Sequence, residues 1–257
     1  MNNYNVLIIG FGIVGQGVLA RLSNFKPGYP IHINVCDKYK QVPSGIKSDS
    51  KHYDLAFVCV DTPATYDTPC DISEIACAIN ENDADVFVIK STVLPDQADF
   101  LMQLSSVKHL VFSPEYYGAT QHCNNFDFNF TILGGNQEDC IKVQQILQHA
   151  YDATHQFKIT DAKTAMLAKY MENSYLAMKV SFCNQFFDIA EKAGVMYEEL
   201  RELFILDPRV NPSHTFVYRE HPYWDSHCLN KDVKAIAQEY DADLLFELIK
   251  FNEHRKP

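Results

Sequence analysis

The stretch Val6-Leu7-Ile8-Ile9-Gly10-Phe11-Gly12-Ile13-Val14-Gly15 runs from four apolar residues into three spaced glycines, and the residues after it, Gln16 to Leu22, continue in a helical pattern. An apolar run of this length bounded by glycine reads as a buried strand. The glycines have separate tasks. Gly10 permits the tight turn, Gly12 lets a pyrophosphate come close to the backbone, and Gly15 lets the helix lie against the strand. The first helical turn, with Ile13 and Val14, presents N–H donors and positive potential to the same place. The next apolar run, Ile31 to Cys36, ends in Asp37, 22 residues beyond Gly15. An acid there accepts hydrogen bonds from both ribose hydroxyls and disfavours a 2′-phosphate, so the expected cofactor is NAD rather than NADP, with Lys38 and Lys40 alongside.

Outward from this motif, apolar runs recur at Leu55–Val60, Val86–Ile89, His109–Phe112 and Thr131–Leu133, with amphipathic stretches between them. That alternation predicts parallel strands with helical crossovers, an α/β fold built as a Rossmann-type doubly wound sheet. Residues 1–160 are assigned to this NAD-binding domain. The texture changes near Asp161, because Ala162 to Ala193 contains neither Gly nor Pro and reads as one long helix. Met166, Tyr170, Tyr175, Leu176, Phe182, Phe186 and Phe187 are too many for one core-facing stripe. Either a second copy of the chain or a surrounding bundle must cover the excess. Gly194 is placed as the C-cap, a proline-punctuated loop spans Asp207 to Tyr223, and helical spacing returns from Lys231 to Glu253. Residues 161–257 are assigned to a mostly helical dimerisation and substrate domain.

Bulk composition narrows the function. Of 257 residues, 47% are hydrophobic, enough for a substantial core, and the formal net charge of −11 argues against a nucleic-acid partner. The start MNNYNVLIIG has no basic leader and too short an apolar run to span a bilayer, so a cytoplasmic protein without membrane association is expected. The eight cysteines form no CxxC pair and are read as reduced. His214, His221, His227 and Cys228 include good zinc-ligand types, but their spacing fits no recognised site and no metal is expected.

Further segments, in order, are Val60-Asp61-Thr62-Pro63, Ile89-Lys90-Ser91-Thr92-Val93-Leu94-Pro95, Phe112-Ser113-Pro114-Glu115, Lys169-Tyr170-Met171-Glu172-Asn173-Ser174, Asp207-Pro208-Arg209-Val210 and Cys228-Leu229-Asn230-Lys231-Asp232. With the glycine motif, this ordered set resembles the UDP-glucose/GDP-mannose dehydrogenase family over essentially the whole chain. The resemblance implies a four-electron oxidation, in which a primary alcohol on a nucleotide-linked sugar becomes a carboxylate while two NAD molecules are reduced. It implies Cys228 as the nucleophile that forms a thiohemiacetal and then a thioester. It assigns Lys169 and Asn173 to oxyanion stabilisation and substrate contact, Asp232 to proton transfer, and Thr92 with Glu115 to water or protons. Thr62, Pro63, Thr92 and Lys231 fall at cofactor-contacting positions. Arg209 matches an arginine that reaches a neighbouring subunit's substrate, which implies a homodimer.

The pattern also departs from the family. Full-length members carry a third, nucleotide-binding domain, whereas this sequence ends where the connection to it would begin. A glycine-rich approach to the nucleophile is replaced by Tyr223-Trp224-Asp225-Ser226-His227, putting bulky side chains there, and a second glutamate four residues after Glu115 is replaced by Ala119. Two other readings therefore stand beside the first: a catalytically silent NAD-binding or assembly subunit, and a two-electron dehydrogenase for a small hydroxy acid.

Overall fold

The computed structural model describes residues 3–42, 52–65, 68–104, 109–116 and 128–257, the side chain of Leu104 excepted. Ala119 and Cys123 lie outside the described residues. The described chain divides into two compact units, one reaching Lys169 and the other running from Tyr170 to Pro257.

In the first unit, β1 (Tyr4–Ile9), β2 (Ile31–Cys36), β3 (Tyr53–Val58), β4 (Ala84–Ile89), β5 (His109–Phe112), β6 (Phe130–Gly135) and β7 (Gln156–Thr160) form one sheet. Its order is β2-β1-β3-β4-β5-β6-β7. Period-two alternation divides the strand side chains between two cores. Leu7, Ile9, Ala56, Val58, Phe87, Ile89, Leu110 and Phe112 pack with α2 (Ser73–Glu81), α3 (Pro95–Leu104) and the first turns of α5 (Ala162–Ala193). Their neighbours Val6, Ile8, Leu55, Phe57, Val86, Val88 and Val111 pack with α1 (Ile13–Leu22) and α4 (Gln137–Leu147). Strands buried on both faces read as continuous apolar runs, which is why the sequence located them.

Two features of the sheet differ from expectation. β5 and β6 pair antiparallel, whereas every other neighbouring pair is parallel. A run's hydrophobicity carries no information on its direction. β7 was not anticipated, because Gln156-Phe157-Lys158-Ile159-Thr160 is an edge strand with no fully buried residue and so lacks an apolar run. At the far side of this unit Gly134 lets α5 approach β6, since a Cβ there would lie 2.4 Å from Ala165 Cβ.

The long helix spans the expected residues, Ala162–Ala193. Gly194 ends it with φ +70, and the Val195 N–H donates to the Ala190 carbonyl at 2.9 Å. In the second unit follow α6 (Tyr197–Phe204), α7 (His227–Glu239) and α8 (Asp243–Glu253). The expected single helical tail is thus two helices, broken at Asp241, whose φ is +47. Ala177, Trp224, Leu229, Val233 and Leu248 form one small core here, and Cys183, Phe187, Ala190 and Tyr197 another.

Candidate active site

β2 and β3 flank β1 on opposite sides, so the strand order reverses at β1, the place where doubly wound sheets open a crevice beyond their carboxyl ends. The glycine turn lies there. Gly10 has φ +90, and a Cβ on it would sit 2.7 Å from the Cys59 carbonyl oxygen. A Cβ on Gly15 would lie 2.0 Å from the Gly10 oxygen, whereas one on Gly12 would meet nothing within 4 Å. The turn is therefore crowded on its protein side and open at Gly12, as a cradle for a pyrophosphate requires. Ile13, the first residue of α1, is exposed beside it, and Val14 is half-buried.

Asp37 has a task the sequence did not reveal. Its Oδ2 accepts the Phe11 N–H at 2.6 Å, and its Oδ1 accepts the N–H groups of Tyr39 (2.8 Å) and Lys40 (2.7 Å). Partial burial alone would raise this carboxyl, but the three N–H donors outweigh it and hold the group below the usual carboxylate range. An ionised carboxylate has about four acceptor positions, so three N–H bonds leave capacity for a ribose hydroxyl. Lys38 extends to α2, where its Nζ donates to Glu74 Oε1 at 3.0 Å. Its charge is met there by a carboxylate, which fits a site without a 2′-phosphate.

The loops after β3 and β4 are tied together. Thr62, buried, donates from Oγ1 to the Thr92 carbonyl at 2.8 Å, and Ser91 Oγ donates to the Val60 carbonyl at 2.6 Å. Pro63 is exposed and its carbonyl accepts the Asp71 N–H at 2.8 Å, while Thr92 is half-buried. After β5, Glu115 pairs with a residue to which sequence reasoning gave no role: Lys90 Nζ lies 3.1 Å from Glu115 Oε2. The signal was a lysine directly following a buried strand. Burial pushes the Glu115 carboxyl up, and Lys90, the Tyr116 N–H and Lys169 together pull it below its ordinary value. Buried Lys169 places Nζ 4.6 Å from the centre of the Tyr116 ring. Cys59, beside this pair, is pushed up to about 12 by burial.

In the second unit three expected residues meet. Asn173 Nδ2 donates to Asp232 Oδ2 at 2.6 Å, and Lys231 Nζ donates to Asp232 Oδ1 at 2.6 Å. Asn173 and Asp232 are both buried, one on α5 and the other on α7. Cys228 is exposed in the first turn of α7, and Ser226 caps that turn by accepting the Leu229 N–H at 3.2 Å. Four residues separate Cys228 from Asp232, so both project from one face of the helix.

The expected bulky approach to Cys228 needs correction at Trp224. Only 3% exposed, the indole is turned into the core of the unit and donates from Nε1 to Ser181 Oγ at 3.0 Å. Asn252 on α8 accepts the Trp224 N–H at 2.9 Å and donates to the Trp224 carbonyl at 2.8 Å. Arg255 Nε donates to the Pro222 carbonyl at 2.9 Å while its guanidinium pairs with Asp188. The segment is thus held from below, and the Tyr223 ring lies tilted against that of His221, with centroids 3.9 Å apart. Arg209, 88% exposed, chelates Asp207 and is directed to solvent by its own chain. Among the described residues no three His, Cys, Asp or Glu side chains are grouped to hold a metal.

The first unit is a Rossmann-type α/β fold with a glycine turn at its switch point. Residues 163–254 match the model of the UDP-glucose/GDP-mannose dehydrogenase family, central domain. Over these residues the chain is similar to that family. It is 27% identical over 294 aligned positions to UDP-glucose 6-dehydrogenase from Rickettsia bellii, covering 98% of this chain and 67% of that protein. It is 26% identical to UDP-N-acetyl-D-mannosamine dehydrogenase from Methanocaldococcus jannaschii, covering 75% of this chain and 46% of that protein. Among solved structures, a UDP-glucose dehydrogenase from Pyrobaculum islandicum superposes with a TM-score of 0.75 at 18% identity, covering 98% of this chain and 68% of that one. The chain spans about half to two thirds of the length of these curated relatives. No described helix is long and apolar enough to cross a membrane.

Proposed function

We propose that this chain is an NAD-dependent oxidoreductase of nucleotide-sugar 6-dehydrogenase type, converting a sugar primary alcohol to a carboxylate. The observation that carries the reading is the arrangement on α7: an exposed Cys228 in a capped first turn, one turn from a buried Asp232 bonded to Asn173. A thiol in the first turn lies where unsatisfied N–H groups favour negative charge. The Gly10–Gly15 turn and Asp37 would hold NAD, which would supply the hydride acceptor for both oxidation stages.

The protein's own groups handle the oxygen, the sulfur and the protons. Lys169 and Asn173 stabilise negative charge on the substrate oxygen, and one such donor contributes roughly 10²–10³ in rate. The Cys228 thiolate adds to the aldehyde carbon to give a thiohemiacetal, which is oxidised to a thioester. Water then attacks the carbonyl, the C–S bond breaks and the thiolate is regenerated. Asp232, Thr92 and Glu115 serve the proton transfers, and Lys231 with Thr62 and Pro63 completes the cofactor contacts.

The same reading makes the protein a homodimer. Met171, Tyr175, Met178, Phe182, Phe186 and Ile189 are exposed along α5 at intervals of three or four residues, forming one apolar stripe. A second copy laid along this stripe would cover it, with Arg209 extended toward the partner's substrate. The experiment is Cys228→Ser with NAD and a panel of nucleotide sugars and free sugars. It is expected to bind NAD normally and to form no acid. Undiminished acid formation would remove the covalent mechanism.

A further inference from the structure

We propose that Lys90 is the positioning residue for Glu115, fixing that carboxylate in the orientation from which it takes a proton. The proposal rests on the proton-transfer role given to Glu115 above. Lys90 follows directly on β4, and its own N–H donates to the Val58 carbonyl at 2.9 Å, so its backbone is locked to the neighbouring strand. The adjoining strand is tied in the same way, the Ser113 N–H donating to the Ile89 carbonyl at 2.8 Å. From this fixed base the Lys90 side chain, 9% exposed, brings Nζ to 3.1 Å from Glu115 Oε2, with Ser113 Oγ at 3.4 Å. The other carboxylate oxygen, Oε1, accepts the Tyr116 N–H at 3.1 Å. Both oxygens are thereby held, and the plane of the carboxylate is set.

A buried ammonium without a counter-charge is strongly unfavourable, so Lys90 is held to Glu115, whereas Glu115, with its side chain 37% exposed, keeps part of its hydration if Lys90 is removed. The titratable groups facing the pair among the described residues are Cys59 from the end of β3, Tyr116, Tyr151 after α4, and Lys169 on α5. Burial keeps the Cys59 thiol neutral at neutral pH, and the Lys169 charge also acts on Glu115. Lys90 has the first influence among the favourable ones, ahead of the Tyr116 N–H and Lys169. A base must be both deprotonated at working pH and aimed, and Lys90 supplies both conditions.

The test is a ¹³C-carboxylate NMR titration of protein labelled at glutamate, with Glu115→Gln identifying the resonance. In the unsubstituted protein Glu115 is expected to titrate below the free glutamate range. In Lys90→Met its midpoint is expected to rise by at least about one pH unit, a tenfold change in proton affinity, and in Lys90→Arg to return toward the original value. Lys90→Gln, which keeps a donor without charge, gives the same reading if Lys90→Met does not fold. The acid limb of kcat/KM for NADH formation is expected to move with the titration. An unchanged Glu115 midpoint in a folded Lys90→Met or Lys90→Gln protein overturns the proposal whatever the activity. A shifted midpoint in a protein that reduces no NAD with any sugar supports the pairing and rejects the functional reading instead.

Discussion

Replacing Asn252 by alanine removes one side chain and leaves two backbone groups stranded. The Trp224 N–H and carbonyl both bond the Asn252 amide, at 2.9 and 2.8 Å, and Asn252 is 1% exposed, so water does not replace it without rearrangement. Each buried group left unpaired costs about 1–3 kcal/mol, and local relaxation recovers part of the sum, so a loss of about 3 kcal/mol is expected. With a urea slope of about 1–3 kcal/mol/M, the midpoint should fall by about 1–3 M. Trp224 is the chain's single tryptophan, so tryptophan fluorescence, excited selectively over that of the tyrosines, reports on this site alone. The indole is buried and donates to Ser181, so Asn252→Ala should unfold earlier with red-shifted emission already present before the transition. A midpoint and emission maximum equal to those of the unsubstituted protein would show that α8 does not hold the segment that leads to Cys228.

Three further outcomes are expected. Gly15→Ala places a Cβ 2.0 Å from the Gly10 oxygen, forcing the turn open, and calorimetry should show NAD binding weakened by at least about tenfold, or 1.4 kcal/mol. Asp188 is held below the usual carboxylate range, first by its hydrogen bonds to Arg255, so the folded state binds this proton less tightly than the unfolded one. The stabilisation is complete above the ordinary carboxylate value and lost as pH falls through the lowered one, and Asp188→Asn should flatten the urea-midpoint profile on the acid side of about pH 4. Phe182→Glu places a charge in the apolar stripe of α5 and should yield monomers in analytical ultracentrifugation where the unsubstituted protein sediments as a dimer.

How much of this was legible depended on whether a residue's task is local. The glycine turn could be read because each glycine answers to a contact within one strand–turn–helix unit, and the limits of α5 could be read because no Gly or Pro interrupts it before Gly194. The meeting of Asn173 with Asp232 spans 59 positions, and only the family pattern, not periodicity, pointed to both residues. Lys90 escaped notice because a lysine after a strand ordinarily reaches solvent, and the partner that buries it comes from another strand's end. Trp224 was misread as an obstruction, since a sequence shows its bulk but not the Ser181 and Asn252 groups that draw it inward. β7 was missed for the opposite reason: an exposed edge strand bears no hydrophobic signature.

The reading of the chain as an oxidant of sugar alcohols is tested most directly by counting NADH formed per molecule of nucleotide sugar consumed, with the product identified by mass spectrometry. Two NADH per carboxylate product are expected, since an alcohol loses four electrons on becoming an acid. One NADH with a ketone or aldehyde as product, or none with any substrate while NAD still binds, would contradict it.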